Sequence, residues 1–301
     1  MSITKLDQLF EVLKSKPKKR LVAAYANDAH TIEAVNDAVE KGIVDALLVG
    51  DEAVMRNVCR EHGFDESKYR MVHEPNESKA AFKAVQLINE GEGDLLMKGL
   101  VSTDKYMKAI LNKETGIMNP GAVLSHVTVM ESPNYHKLLI VGDVAIIPLP
   151  DLKQKIAILN YLIAAAKGLG IEKPKVAVLS ASEQVLVGMP SCVDAALLSK
   201  MAERGQISGA FVDGPLSLDA AIDMESAQIK KLTGPVAGDA DCMLFPNIES
   251  GNIFYKANTK MANAELGAFV AGARVPCVLS SRGDTALTKL YSIALAALLA
   301  K

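Results

Sequence analysis

The feature that most constrains this chain is an alternation of two kinds of segment. Short apolar runs take turns with amphipathic runs, from about residue 20 to the C-terminal end. "RLVAAYA" reads as a buried strand. "HTIEAVNDAVEKG" has helical spacing and closes on Gly42, where a helix C-cap belongs. "VDALLVG", "DEAVMRNVCREHG", "YRMVH" and "NESKAAFKAVQLINEG" repeat strand, helix, strand, helix, and "DLLMKG" with "STDKYMKAILNK" adds another pair. Asp51, Asn76 and Ser102 stand at positions suited to N-caps. The middle of the chain breaks the rule. "GAVLSHVTVMES" and "HKLLIVGDVAII" are two β-rich runs with the turn-forming "SPNY" at their junction, which predicts an antiparallel pair. Alternation then resumes with a helix over 151–169, "KVAVLSA", a helix over 190–204, "SGAFVDGP", a short helix, "CMLFPN" and a helix over 249–262. "VPCVLSS" and "DTALTKLYSIALAALLA" close the series.

Such an order specifies an α/β protein with mostly parallel sheets. A length of 301 residues suits about two domains. The β-rich break puts a boundary near residue 125, and no Gly/Ser linker marks it, so the domains are expected to share or exchange segments. A formal net charge of −2 gives no general surface for nucleic acid or anionic membrane, so an anionic ligand must be held by local donors. No run is long and apolar enough to span a bilayer, and "MSITKLDQLFEVLKSKPKKR" lacks the apolar core of a secretory signal. Cys59, Cys192, Cys242 and Cys277 form no Cys-x-x-Cys pair and suit neither a zinc site nor a disulfide framework; Cys242 and Cys277 sit in apolar strand-like runs as packed thiols, and the expected compartment is a reducing cytoplasm. In that compartment the Arg-Gly-Asp at residues 282–284 is no adhesion tripeptide.

In open parallel sheets ligands collect at the carboxyl ends of strands, and four such turns carry polar residues. In "LLMKGLVSTDKY", Lys98 and Gly99 follow a strand while Ser102 and Thr103 open a helix. A lysine, a glycine that permits close approach and a helix mouth together suit phosphate, although a capped helix with a solvated lysine reads as well. No Walker motif or G-x-G-x-x-G is present. In "FVDGPLSLDAAID", Asp213 ends a strand, Gly214 and Pro215 make the turn, and Ser217 or Asp219 opens a helix. Asp213 is either functional or a turn aspartate bonded to backbone amides. In "GDADCMLFPNIESGNIFYK", Asp239 and Asp241 precede a strand, where capping or hydrogen bonding accounts for them better than a metal. Pro246 and Asn247 follow that strand. Gly251 and Asn252 lie in the next helix, and a glycine there implies close approach by a ligand or by the other domain. Finally "CVLSSRGD" places Ser280, Ser281 and Arg282 at a strand end, with Asp284 positioned as an N-cap. An arginine beside helix-terminal amides is a bidentate partner for phosphate or carboxylate. The five histidines share no metal spacing, and no G-x-S-x-G elbow offers a serine nucleophile.

These four stretches, in this order, resemble the phosphate acyltransferases, the family of phosphate acetyltransferase and phosphate butyryltransferase. "MPSCVDAALLSKM" and "SRGDTALTKLYSIALA" look more like the butyryltransferase branch. The resemblance implies reversible transfer of a short acyl group, such as butyryl, between CoA and inorganic phosphate, with both as substrates and no bound cofactor or metal. It implies two α/β domains similar to isocitrate and isopropylmalate dehydrogenases, with a cleft between them. The expected domains are 1–125 plus 264–301, and 126–263. It implies that Ser281 hydrogen-bonds the reacting carbonyl, that Arg282 holds phosphate, and that Lys98, Gly99, Ser102 and Thr103 line the same pocket. Ser125, Asp213, Pro246, Gly251 and Asn252 complete the expected substrate-binding set. A homodimer or larger assembly is implied as well.

Two departures stand out. Thr288 occupies the position where the acetyltransferase branch carries a carboxylate taken as the base for the CoA thiol, so Asp284 either substitutes for that base or caps the helix. Ile147 stands where an Asn is usual after "GDVA", which leaves the part of Asp143 open. Three other readings compete. An acetyl-specific enzyme and a non-catalytic acyl-CoA-sensing module fit the same motifs. A β-decarboxylating dehydrogenase would need a metal-binding aspartate cluster that the sequence does not offer.

Overall fold

The computed structural model describes residues 2–279 and 284–301. The chain divides into two compact units. The first joins Asp7–Ala122 to Leu266–Lys301, and the second joins Val123–Glu265 to residues 2–6.

The first unit opens with α1 (Gln8–Lys14), β1 (Lys19–Ala24), α2 (Ala29–Glu40), β2 (Val44–Gly50) and α3 (Glu52–His62). It continues with β3 (Tyr69–His73), α4 (Glu77–Asn89), β4 (Leu95–Lys98) and α5 (Thr103–Ile110). Its strands pair in the order β3-β2-β1-β4, all parallel, with Ala24 opposite Lys98. Leu21 to Ala24 of β1 are all buried, which is why the run carries no polar alternation. On α4, Ala80, Ala81, Ala84, Val85 and Ile88 form the buried stripe that helical spacing predicts. Local chemistry starts and stops the helices. Asp51 accepts from the N–H groups of Ala53 and Val54, and Asn76 from that of Lys79. After α2 the N–H of Gly42 (φ 71°) donates to Val39 O and that of Ile43 to Ala38 O, a Schellman ending that needs a residue at home in the left-handed region.

The second unit begins with β5 (Ser125–Glu131) and β6 (Leu139–Gly142). They are the predicted antiparallel pair, with Val129 opposite Ile140 and a turn in which Tyr135 N–H donates to Ser132 O. Then come α6 (Leu152–Gly168), β7 (Lys175–Leu179), α7 (Pro190–Glu203), β8 (Phe211–Leu216), α8 (Leu218–Ile222), α9 (Met224–Ile229), β9 (Cys242–Leu244) and α10 (Ile248–Met261). The strand order is β5-β6-β9-β7-β8, parallel after the first pair. The chain's first residues belong here: Ile3 and Leu6 are buried, and the Leu6 N–H donates to Glu131 Oε2 at 2.8 Å.

The chain then returns to the first unit through β10 (Glu265–Ala271), β11 (Cys277–Val278) and α11 (Ala286–Leu299). β11 runs parallel to β4, with Val278 opposite Met97, and antiparallel to β10, with Val270 opposite Cys277. Neither β10 nor α1 was expected. α11 is buried at every position from Lys289 to Leu298, as its nearly uninterrupted apolar sequence requires. Among the described residues no helix is long and apolar enough to cross a membrane.

Candidate active site

In the first unit the candidates gather at the carboxyl edge of β4 and β11. Lys98 ends β4 and is only 8% exposed. Its ammonium donates to the carbonyls of Val101 (2.9 Å) and Gly99 (3.2 Å), so the lysine is folded over its own turn rather than solvated. Gly99 is required by backbone packing: a Cβ there would lie 2.6 Å from Tyr25 O and 2.8 Å from Ala24 O. Its N–H donates to Ala24 O at 2.9 Å, extending the ladder with β1. Ser102 stands at the N-cap of α5, but its hydroxyl does not cap the helix. Its N–H instead donates to Glu77 Oε1 at 2.8 Å. Glu77 also pairs with Lys105, and that bond, with the Ser102 N–H, holds its carboxyl below the usual range. Thr103 is exposed in the first turn. Glu77 thus braces the mouth of α5 from another helix, a role that its place in the first turn of α4 does not reveal.

Ser281 and Arg282 lie outside the described residues. Asp284 does not cap the last helix. The N-cap is Thr285, whose Oγ1 accepts from the Thr288 N–H at 3.1 Å and lies 3.0 Å from the Thr288 hydroxyl. Two adjacent residues could serve as caps, and the extended backbone of Thr285 (φ −68°, ψ 161°) places its own hydroxyl on the helix. Thr288, at the position of the expected carboxylate, is therefore tied into that cap.

In the second unit, β6 and β9 end beside α10, and one assembly forms there. The buried Asp143 carboxylate accepts from the N–H groups of Ala145 (2.8 Å), Ile146 (3.0 Å) and Ile147 (3.2 Å), organising the loop after β6. Gly251 of α10 packs on this loop: a Cβ would meet Asp143 O at 2.4 Å and Val144 Cγ1 at 3.2 Å. The close approach signalled by that glycine comes from a loop of its own unit. Asn252 Nδ2 donates to Val144 O at 3.1 Å, while Asn247, next to Pro246, caps α10 by accepting from the Ser250 N–H. Ser125 opens β5 fully buried, and among the described residues its Oγ is a buried side-chain polar atom without a partner.

Asp213 lies within β8, opposite Ala177, not at a strand end. Its carboxylate accepts from the next N–H, that of Gly214, at 2.9 Å. Gly214 and Pro215, expected in a turn, continue the strand through a register shift against β7. A Cβ on Gly214 would lie 2.7 Å from Val178 O, so the glycine serves strand packing. The polar cluster at this end of the sheet is downstream. Lys230 pairs with Glu183 (2.8 Å) and Asp219 (2.9 Å), and the Ser217 hydroxyl donates to Asp219. The Ser217 hydrogen bond and the lysine hold the Asp219 carboxyl down at about 2.

Asp239 and Asp241 lie at the amino ends of β7 and β9. Asp239 takes Lys175, Lys137 and His136, and Asp241 takes Lys137 at 2.6 Å and the Lys175 N–H at 2.8 Å. Burial acts to raise the Asp239 carboxyl, but the hydrogen bonds from Lys175 and Lys137 outweigh it, and the group stays well below the usual carboxylate range. Among the described residues no group of three or more His, Cys, Asp or Glu could hold a metal. All four thiols are free and buried. Desolvation pushes Cys277 up to about 12 and Cys242 well above its ordinary value, so neither is a thiolate nucleophile.

The family model described as "Phosphate acetyl/butaryl transferase" matches residues 4–80 and 67–297. The phosphate butyryltransferase of Clostridium acetobutylicum is 46% identical over 298 residues, 99% of each chain. The phosphate acetyltransferase of Rhizobium meliloti is 41% identical over 99% of this chain and 94% of its own. The solved structure of a branched-chain phosphotransacylase from Enterococcus faecalis V583 superposes with a TM-score of 0.82 at 30% identity, covering 93% of this chain and 98% of that one.

Proposed function

The chain belongs to the phosphate acetyl/butaryl transferase family, and from that premise we propose that it moves a short acyl group, butyryl foremost, reversibly between CoA and inorganic phosphate. The single observation that carries this reading is the 46% identity to a phosphate butyryltransferase over 99% of both chains. A phosphate oxygen attacks the thioester carbonyl carbon, the C–S bond breaks, and CoA leaves with a proton as acyl phosphate forms. Charge builds on the carbonyl oxygen in the tetrahedral state, and donors fixed in advance lower that barrier most. Ser281 supplies such a donor in this reading, and Arg282 holds the attacking phosphate. Lys98, with its ammonium beside the β4–α5 turn, adds positive charge at the same edge, and Ser102 and Thr103 open the helix there. Thr285, not Asp284, caps α11, and in this reading Asp284 exchanges a proton with the CoA thiol. Ser125, Asp213, Pro246, Gly251 and Asn252 belong to the substrate-binding set of the second unit. Direct transfer gains mainly from orientation. A cytoplasmic homodimer or larger assembly completes the proposal, and light scattering of the purified chain checks its size.

Acetyl-CoA is the second reading, favoured by the Rhizobium meliloti relative, whose name is phosphate acetyltransferase. One methylene changes discrimination by only about 1–3 kcal/mol, so the two differ in degree. Phosphate-dependent thiol release from acetyl-, propionyl-, butyryl- and valeryl-CoA decides between them. The highest kcat/KM falls on butyryl-CoA in the first case and on acetyl-CoA in the second. Arg282→Ala is expected to raise the phosphate KM or abolish turnover in a folded chain, and wild-type kinetics in that variant refute the anion role.

A further inference from the structure

One peptide group of the first unit is gripped from both sides. It joins Val101 to Ser102, in the turn between β4 and α5. Its carbonyl oxygen accepts from the Lys98 ammonium at 2.9 Å. Its N–H donates to Glu77 Oε1 at 2.8 Å. The peptide is trans, so the two groups point in opposite directions, and a partner on each fixes the plane between them. The two bonds also reinforce one another. A cation at the oxygen makes the N–H a better donor, and a carboxylate at the N–H makes the oxygen a better acceptor.

The grip comes from separate parts of the chain. Glu77 opens α4, 25 positions before Ser102. Its other oxygen pairs with Lys105. Lys98 is buried at the end of β4 and donates to Gly99 O as well. The neighbouring helices start without such help. Asp28, Asp51 and Asn76 cap α2, α3 and α4 with their own side chains, each accepting from a first-turn N–H. Ser102 holds the equivalent place on α5, and its hydroxyl does not bond a first-turn amide. The turn before α5 is therefore set by Glu77 and Lys98 in place of a local cap. A carboxylate near an anion site carries an electrostatic cost, so its presence here calls for a benefit of another kind.

We propose that Glu77 is a positioning residue for acyl transfer: through the Val101–Ser102 peptide it holds the Lys98 ammonium in place for the phosphate. The proposal rests on the acyl-transfer reading, in which Lys98 supplies positive charge at that edge.

Glu77→Ala, Glu77→Gln, Lys105→Met and Lys98→Met, prepared as full chains, test it. Alanine removes both the acceptor and the charge, whereas glutamine removes the charge and keeps an acceptor oxygen. By charge alone both would lower the KM for inorganic phosphate, because each takes a negative charge away from an anion site. Positioning predicts a different pattern. Glu77→Ala should raise the phosphate KM about fivefold or more and leave the acyl-CoA KM within about twofold of wild type. Glu77→Gln should stay within about twofold for both substrates, as should Lys105→Met, which loses only a partly exposed ion pair. Lys98→Met should raise the phosphate KM, and adding Glu77→Ala to it should raise it no further, because nothing remains to be positioned.

A phosphate KM unchanged or lowered in Glu77→Ala overturns the proposal. So does a fall in kcat alone, an equal rise in Glu77→Gln or Lys105→Met, or full additivity with Lys98→Met. If Glu77→Ala does not fold, Glu77→Met, which keeps the length of the stem without an acceptor oxygen, carries the same measurements. Failure of the underlying reading looks different. A wild type without phosphate-dependent transfer sinks that reading and the proposal with it. Transfer that Lys98→Met leaves at the wild-type phosphate KM keeps the reading and overturns the proposal alone.

Discussion

Gly251→Ala sets two effects of opposite sign against each other. In an exposed helix the change would stabilise by about 1 kcal/mol, because glycine is the poorer helix former. Here the new Cβ would stand 2.4 Å from the carbonyl oxygen of Asp143 and 3.2 Å from both Phe245 Cδ2 and Val144 Cγ1. The nearest atom is backbone, held in a loop that the Asp143 carboxylate ties through three N–H groups. It cannot rotate away, so either α10 or the loop must move. Overpacking of this kind costs roughly 1–3 kcal/mol, and a backbone contact belongs at the upper end. The net expectation is a loss of about 1–2 kcal/mol. At about 2–4 °C per kcal/mol for a chain of this class, the melting temperature falls by several degrees in a calorimetric scan. Hydrogen exchange should quicken first at the amides of Ala145 to Ile147. A variant as stable as the wild type, or more stable by the helix propensity, would refute the account of α10 as the support of this loop.

Asp143→Ala leaves three N–H groups without their acceptor and is expected to cost about 2–4 kcal/mol by chemical denaturation, whereas Asp143→Asn, which keeps an acceptor, should lose less than half as much. Thr285→Ala should cost about 1 kcal/mol by chemical denaturation as the loss of an N-cap, and unchanged stability would refute the cap; Asp284→Ala should lower kcat. Asp219 titrates in the folded chain at about 2, below its unfolded value near 4, so the stability it contributes is present above about pH 4 and disappears as pH falls toward 2. The gap between wild type and Asp219→Asn in unfolding free energy, read by chemical denaturation, should therefore be largest near neutrality, at less than about 1 kcal/mol for so exposed a group, and close in acid.

Much of this architecture is written in local chemistry. The β1-to-α5 series, the antiparallel β5–β6 pair and the caps at Asp51 and Asn76 follow from periodicity and from residues that act on their immediate neighbours. β10 escaped because "ELGAFVA" has no alternation: its residues from Leu266 onward are all buried, and a short apolar run does not distinguish strand from buried helix. Gly214 and Pro215 read as a turn because that pair punctuates most chains, while here the strand continues past them. The glycine at 251 announced a close contact, yet only the chain path brings Asp143 to it across 108 residues. Asp239 and Asp241 likewise depend on Lys137 and Lys175, which β-strand order alone delivers.

The central claim is acyl transfer to phosphate, and its most direct test follows both products from butyryl-CoA. The account predicts that thiol release requires inorganic phosphate and that trapping with hydroxylamine recovers one acyl phosphate for each CoA released. Thiol release that proceeds without phosphate, or none from any short acyl-CoA when phosphate is present, contradicts it.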